Sequence, residues 1–167
     1  MGLSQATDDI IEQLHPEKPS YVYVASSWRN NYHVAVVTAL RVAGIPCYDF
    51  KRDEGAQFSW HEVDVDSTGE TYEKYKNGLM HPRAEAGFAS DFNALKRASH
   101  CVLVLPCGRS AHLEAGWMIG QGKPTAILMM PETHLPDDVY TPELMYKMAD
   151  YITNSLFDLL GWLGVED

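Results

Sequence analysis

Residues 101–116 read CVLVLPCGRSAHLEAG, and this stretch decides the fold class of the chain. The apolar run Cys101 to Leu105 is typical of a strand that is buried on both faces of a sheet. The chain leaves this strand through Pro-Cys-Gly-Arg-Ser, and apolar residues then recur at helical spacing from about Ser110 to Gln121. A buried strand followed directly by a helix predicts an α/β fold with a parallel sheet.

The same alternation occurs on both sides of this stretch. The strand Tyr21 to Ala25 precedes a helix over Tyr32 to Val42, and the short strand Cys47 to Phe50 follows. The pattern also predicts a short helix over Asp8 to Leu14, a helix over Arg83 to Ala98, a strand over Thr125 to Met130 and a helix over Pro142 to Leu163. We expect a flavodoxin-like (Rossmann-like) open parallel sheet with helices on both faces, in a single domain over residues 1–167.

Residues 51–81 do not follow this alternation, because they combine mixed charge with several aromatic residues. Loops of this length inside a compact domain usually have a task. We therefore expect an insertion that forms a lid or a subunit contact.

Composition and charge exclude several classes of protein. A formal charge of −10 argues against general affinity for nucleic acid or an anionic membrane. The N-terminus has no signal-peptide pattern and no apolar run of about 18 residues occurs, which predicts a soluble, cytoplasmic protein. Neither the 3 cysteines nor the 7 histidines have the spacing of a disulfide framework or a metal site, so we expect no metal and no cofactor.

Polar residues follow three of the predicted strands, at the sheet edge where ligands of open α/β folds bind. These segments are Ser26 to Asn30, Asp49 to Asp53 and Cys107 to Glu114. Trp28 and Arg29 suit the stacking of a planar base, although an ordinary loop explains them equally well.

The third segment offers the most chemistry. Gly108 permits a tight turn, Ser110 is a candidate N-cap, and Arg109 stands beside the N–H groups of the helix start, which together form an anion or hydroxyl site. Glu114 lies four residues after Ser110 and hence on the same helix face. Spacing alone leaves two readings of Glu114 open: a functional carboxylate, or a solvent-facing one favoured by the helix dipole.

Three blocks, residues 21–26 (YVYVAS), 91–102 (DFNALKRASHCV) and 113–124 (LEAGWMIGQGKP), resemble the nucleoside 2-deoxyribosyltransferase superfamily, which includes nucleoside 5′-monophosphate N-glycosidases. The resemblance implies that Glu114 attacks the anomeric carbon, that Asp91 positions the nucleoside and protonates the leaving base, and that Tyr23 steadies the nucleophile. The residues that we expect to bind this nucleoside or nucleotide are Ser26, Ser27, Trp28, Arg29, Asp49, Gly108, Arg109 and Ser110.

The sequence also departs from the family pattern. Residues 108–112 replace an Asp-Ser-Gly-Thr-type turn, and Arg109 with Ser110 instead suits a phosphate. Tyr140 to Met145 resembles the segment through which family members complete a neighbouring subunit's site, which implies a homodimer or higher homo-oligomer, although Glu143 stands where transferases often have Asn. Two alternatives remain: an NAD glycohydrolase related to Toll/interleukin receptor domains, and a nucleotide-binding module without catalysis.

Overall fold

The computed structural model describes residues 19–53 and 57–165, so the helix predicted over Asp8 to Leu14 lies outside the described residues. The chain consists of two compact units. The sheet unit comprises residues up to Cys47 and from Ala98 onward, and the insert unit comprises Tyr48–Arg97.

The described elements alternate as the sequence predicts. The strands are β1 (Val22–Ala25), β2 (Cys47–Tyr48), β3 (His100–Leu105), β4 (Thr125–Met129) and β5 (Tyr151–Thr153). The helices are α1 (His33–Val42), α2 (Tyr72–Leu79), α3 (Pro82–Arg97), α4 (Arg109–Gly120) and α5 (Leu156–Trp162), with 3₁₀ helices at Trp60–Val63 and Leu144–Met148. The all-parallel strand order β2-β1-β3-β4-β5 confirms the flavodoxin-like sheet, and the order reverses between β1 and β3.

Helices of the sheet unit cover both faces of the sheet. On one face, the alternate residues of β1 and β3 pack against α1 and α5 in a cluster that contains Val22, Val24, Val102, Val104, Leu40 and Leu159. On the other face, α4 packs on β1, β3 and β4 and buries Ala111, Ala115 and Met118. Because successive side chains of a strand alternate, Tyr23 and Leu103 point to the α4 face.

The C-terminal region is not the single helix that its periodicity predicts. Residues 142–163 contain the 3₁₀ helix Leu144–Met148, then β5, then α5. The reason is tertiary, because Asp150 forms two hydrogen bonds with Thr125 at the start of β4: its N–H donates to the Thr125 carbonyl at 2.9 Å, and its carboxylate accepts from the Thr125 N–H at 2.8 Å. These bonds place the following residues beside β4 as a strand.

The insert unit is also more ordered than a loop, which corrects the expectation for residues 51–81. Its aromatic residues form a partly exposed cluster, in which the ring of Trp60 contacts those of Phe58 and Tyr75 at centroid distances of 5.3 and 5.5 Å. A 2.7 Å ion pair between Arg83 and Glu62 joins α3 to the first 3₁₀ helix. A role as lid or subunit contact stays a prediction.

Candidate active site

The helix α4 begins at the carboxyl edge of the sheet, directly after β3. Its N-cap is Gly108, whose backbone is extended (φ −91°, ψ −168°), so the expected cap at Ser110 is wrong and Ser110 lies inside the first turn. Gly108, Arg109 and Ser110 are all exposed. The first turn of α4 therefore presents its N–H groups and one guanidinium to solvent.

Glu114 lies one turn further along α4 and is partly buried. Burial, and then the negative charge of Glu114, raise the pKa of the Cys107 thiol to about 12 and also raise the pKa of Cys101. Glu114 lies three residues after Ala111 and four before Met118, which are both buried against the sheet, so it stands at the edge of the helix face that packs on the sheet. This geometry favours the inward reading of Glu114, and it keeps both thiols protonated near neutral pH.

Tyr23 lies on the same side of the sheet as Glu114. It is buried in β1, on the face that α4 covers, and its exposed fraction is 1%. Within the sheet unit, two of the three residues for which the resemblance implies a catalytic role therefore lie on the same side of the sheet.

The loop after β1 combines buried and exposed side chains. Ser26 is buried, and its hydroxyl oxygen lies 2.6 Å from Nδ1 of the fully buried His33. Ser27 is partly buried, whereas Trp28 and Arg29 are exposed. The hydroxyl of Ser26 thus has a protein partner, and the solvent-facing positions of this loop are those of the indole and the guanidinium.

Asn30 anchors this loop to the end of β3. Its amide nitrogen donates to the carbonyl oxygens of Val104 and Pro106, both at 3.0 Å, and its amide oxygen accepts from the N–H groups of Tyr32 at 2.7 Å and His33 at 3.1 Å. The side chain is buried, with 3% exposed. The sequence indicates a capping residue here, but its partners more than 70 residues away have no local signal.

Asp91 lies in the insert unit, on α3, and forms a short relay with two hydroxyl groups. The Tyr48 hydroxyl donates to Oδ1 of Asp91 at 2.8 Å and lies 3.2 Å from Oγ of Ser90. Because a phenol has one proton, the Ser90 hydroxyl donates to the Tyr48 oxygen. Burial raises the pKa of Asp91, and the bond from Tyr48 partly offsets this. A carboxyl group with a raised pKa keeps its proton to higher pH, as a general acid requires.

Replacing Tyr48 with phenylalanine is expected to raise the pKa of Asp91 further, because the lost hydrogen bond stabilises the ionised carboxylate. Carboxyl ¹³C NMR titration measures this pKa. Tyr72→Phe, which changes an exposed phenol of the same unit, is the control and should leave the Asp91 titration curve in place. An Asp91 pKa that stays the same or falls in Tyr48→Phe would contradict the relay.

Asp49 is buried and belongs to the turn that ends β2. Its carboxylate accepts from the Lys51 N–H at 3.0 Å, and its own N–H donates to the Asp53 carboxylate at 2.9 Å. The strand therefore ends at Tyr48, two residues before the predicted end at Phe50. A role for Asp49 in binding stays a prediction.

In the parts of the chain that the structure describes, no helix is long and apolar enough to cross a membrane, and no three His, Cys, Asp or Glu side chains are grouped as metal ligands would be.

Neither a protein-family model nor a curated protein matches the sequence, but solved structures match the fold. A 2-deoxyribosyltransferase from Bacillus psychrosaccharolyticus is 13% identical over 83% of this chain and 89% of its own, with a TM-score of 0.52. A conserved protein from Enterococcus faecalis V583 is 14% identical over 87% of this chain and 97% of its own, with a TM-score of 0.57. The CMP N-glycosidase BcmB from Clostridium botulinum superposes more loosely, with 14% identity, coverage of 86% and 97%, and a TM-score of 0.42. As the resemblance predicted, the chain has the fold of a nucleoside 2-deoxyribosyltransferase.

Proposed function

We propose that the protein cleaves or transfers the N-glycosidic bond of a nucleoside or nucleoside 5′-monophosphate, with Glu114 as the nucleophile. The observation that carries this proposal is the position of Glu114: it is partly buried, at the edge of the sheet-facing side of α4, and in the second turn of this helix, which follows β3. In open α/β sheets this edge is where ligands bind. The fold, which a 2-deoxyribosyltransferase shares, supports the same chemistry.

The proposed reaction proceeds in two steps. A carboxylate oxygen of Glu114 attacks C1′ of the sugar, the C1′–N bond breaks, and its electron pair leaves with the base, which takes a proton from Asp91. Water, or a second base, then attacks C1′ and releases Glu114. The raised pKa of Asp91 suits the acid role, and Tyr23, on the same side of the sheet as Glu114, suits the positioning of the nucleophile.

For substrate binding, we assign the phosphate or sugar to the exposed first turn of α4, with Gly108, Arg109 and Ser110. Trp28 and Arg29 are exposed and can stack on a base, with Ser27 beside them. Ser26 and Asp49 remain proposed binding residues, and the hydrogen bonds that each forms within its own unit would hold them in position. The proposed chemistry needs no cofactor.

We further propose that the protein forms a homodimer or larger homo-oligomer, which sedimentation velocity tests.

A screen for released base tests the proposed activity. The protein is incubated with nucleosides, their 5′-monophosphates and NAD, each with and without an acceptor base, and free base is measured by chromatography. We expect release from a nucleoside or monophosphate, retained in the control Glu85→Gln, which changes an exposed carboxylate of α3. Release of nicotinamide from NAD alone would instead identify an NAD glycohydrolase, and no release from any compound would contradict the enzyme assignment.

A further inference from the structure

A cavity of about 540 Å³ lies in the sheet unit, between the sheet, α4 and the 3₁₀ helix Leu144–Met148. Its volume falls within the range of about 300–1,000 Å³ that is typical of small-molecule sites. Most of its surface is apolar, from the side chains of Leu103, Leu105, Ile119, Ile127, Met145 and Met148.

This cavity is separate from the proposed catalytic site. The α4 residues that line it are His112, Ala115, Gly116 and Ile119, and Glu114 is not among them. At 3.6 residues per turn, Gly116 is rotated by about 200° from Glu114 around the helix axis. The two sites would therefore lie on opposite flanks of α4.

One wall of the cavity is formed by His112 and Tyr146, whose side chains are held in place by hydrogen bonds. Nδ1 of His112 lies 2.8 Å from the Gly108 carbonyl oxygen, which can only accept, so Nδ1 carries the proton. Nε2 then accepts from the Tyr146 hydroxyl at 2.9 Å, and the two rings stack at 5.8 Å between centroids. The two stacked rings present an aromatic wall to the cavity.

The charge of the lining is negative. Glu132 and Glu143 both line the cavity, and of the described residues around it none is Lys or Arg. Glu132 has a single histidine partner, His134, at 3.6 Å, and this histidine is mostly exposed. Burial is the main cause that raises the pKa of Tyr146, and the nearby acidic groups of Cys107, Glu143 and Glu132 raise it further, so both carboxylates act on this wall of the cavity.

We propose that the cavity is a second binding site and takes a small organic cation with a flat apolar body, such as an aromatic amine. The apolar floor accommodates the ring system, the aromatic wall stacks on it, and the two carboxylates compensate its positive charge. This site is independent of the proposed N-glycosidic chemistry, and its test uses binding alone.

Tryptamine and indole-3-acetate are suitable probes, because they share an indole ring and carry opposite charges. Calorimetry and methyl NMR of Met145, Met148 and Ile119 measure binding. We expect tryptamine to bind and to shift these methyl signals, and indole-3-acetate to bind at least about tenfold more weakly, since the two carboxylates repel it.

Gly116→Leu should reduce tryptamine affinity at least about tenfold by filling the cavity. A Cβ at Gly116 would meet no atom within 4 Å, so the first atom of the leucine side chain has space. The matched control is Gly120→Leu, at an equally open position of the same helix that does not line the cavity, and it should bind as the wild type does. If Gly116→Leu does not fold, Met148→Trp, at a half-exposed lining position, serves the same purpose.

Four results would overturn this proposal. Tryptamine could leave the methyl signals unchanged, or indole-3-acetate could bind equally well. Alternatively, sedimentation could show that wild-type chains associate and that Gly116→Leu separates them, in which case a second copy of the chain occupies the cavity. Unchanged tryptamine binding by a folded Gly116→Leu protein would also contradict the assigned location.

Discussion

Replacing Glu114 with glutamine is expected to lower kcat for base release by about 10³-fold or more. The amide has nearly the same shape as the carboxylate, but it cannot supply the oxygen anion that forms the glycosyl-enzyme bond. Because Glu114 is only partly buried, the free energy of unfolding should change by less than about 1 kcal/mol. Chromatographic rates and urea denaturation of both proteins measure the two effects separately.

Two further measurements make this prediction specific. Glu114→Asp retains the carboxylate, but its side chain is shorter by one methylene group and places the carboxylate further from C1′. Its rate should therefore lie between those of the wild type and the glutamine variant. In addition, the charge of Glu114 raises the pKa of Cys107, so Glu114→Gln should lower that pKa and speed alkylation of this thiol by iodoacetamide. Full activity in Glu114→Gln would exclude the nucleophile role, while unchanged alkylation would contradict the position of the carboxylate.

Replacing Asn30 with alanine is expected to cost about 3 to 5 kcal/mol of unfolding free energy. The substitution leaves the buried Val104 carbonyl and the N–H of His33 without the partner that the amide supplies, and it also removes the bonds to Pro106 and Tyr32. Domains of this size are stable by only about 5–15 kcal/mol, so this loss would be a large share of the total.

Urea denaturation measures the effect of Asn30→Ala, with Asn31→Ala as the control. Asn31 is the exposed neighbour of Asn30 in the same loop, and its substitution should change the unfolding free energy by less than about 0.5 kcal/mol. Equal effects for the two variants would mean that the link between the β1 loop and the end of β3 contributes little.

Local patterns in the sequence were sufficient to predict most of the sheet unit. The apolar runs of β1, β3 and β4 and the helical periodicity of α1 and α4 predict these elements to within about two residues, because short-range spacing decides which side chains a strand or helix can bury. The same spacing failed over residues 142–163, where apolar residues at helical intervals belong to three different elements. There the pairing with β4 prevailed over the local pattern.

The candidate site, like the fold, could be predicted only in part from the sequence. The sequence by itself determined the α/β class, the strand–turn–helix that carries Glu114, and the resemblance that names Asp91 and Tyr23. Only the tertiary structure decided that Glu114 is partly buried at the edge of the packed face of α4, that Tyr48 donates to Asp91, and that Asn30 reaches Val104. The physical reason is distance along the chain: hydrogen bonds across 43 and 74 residues depend on the packing of separate elements, which no local spacing encodes.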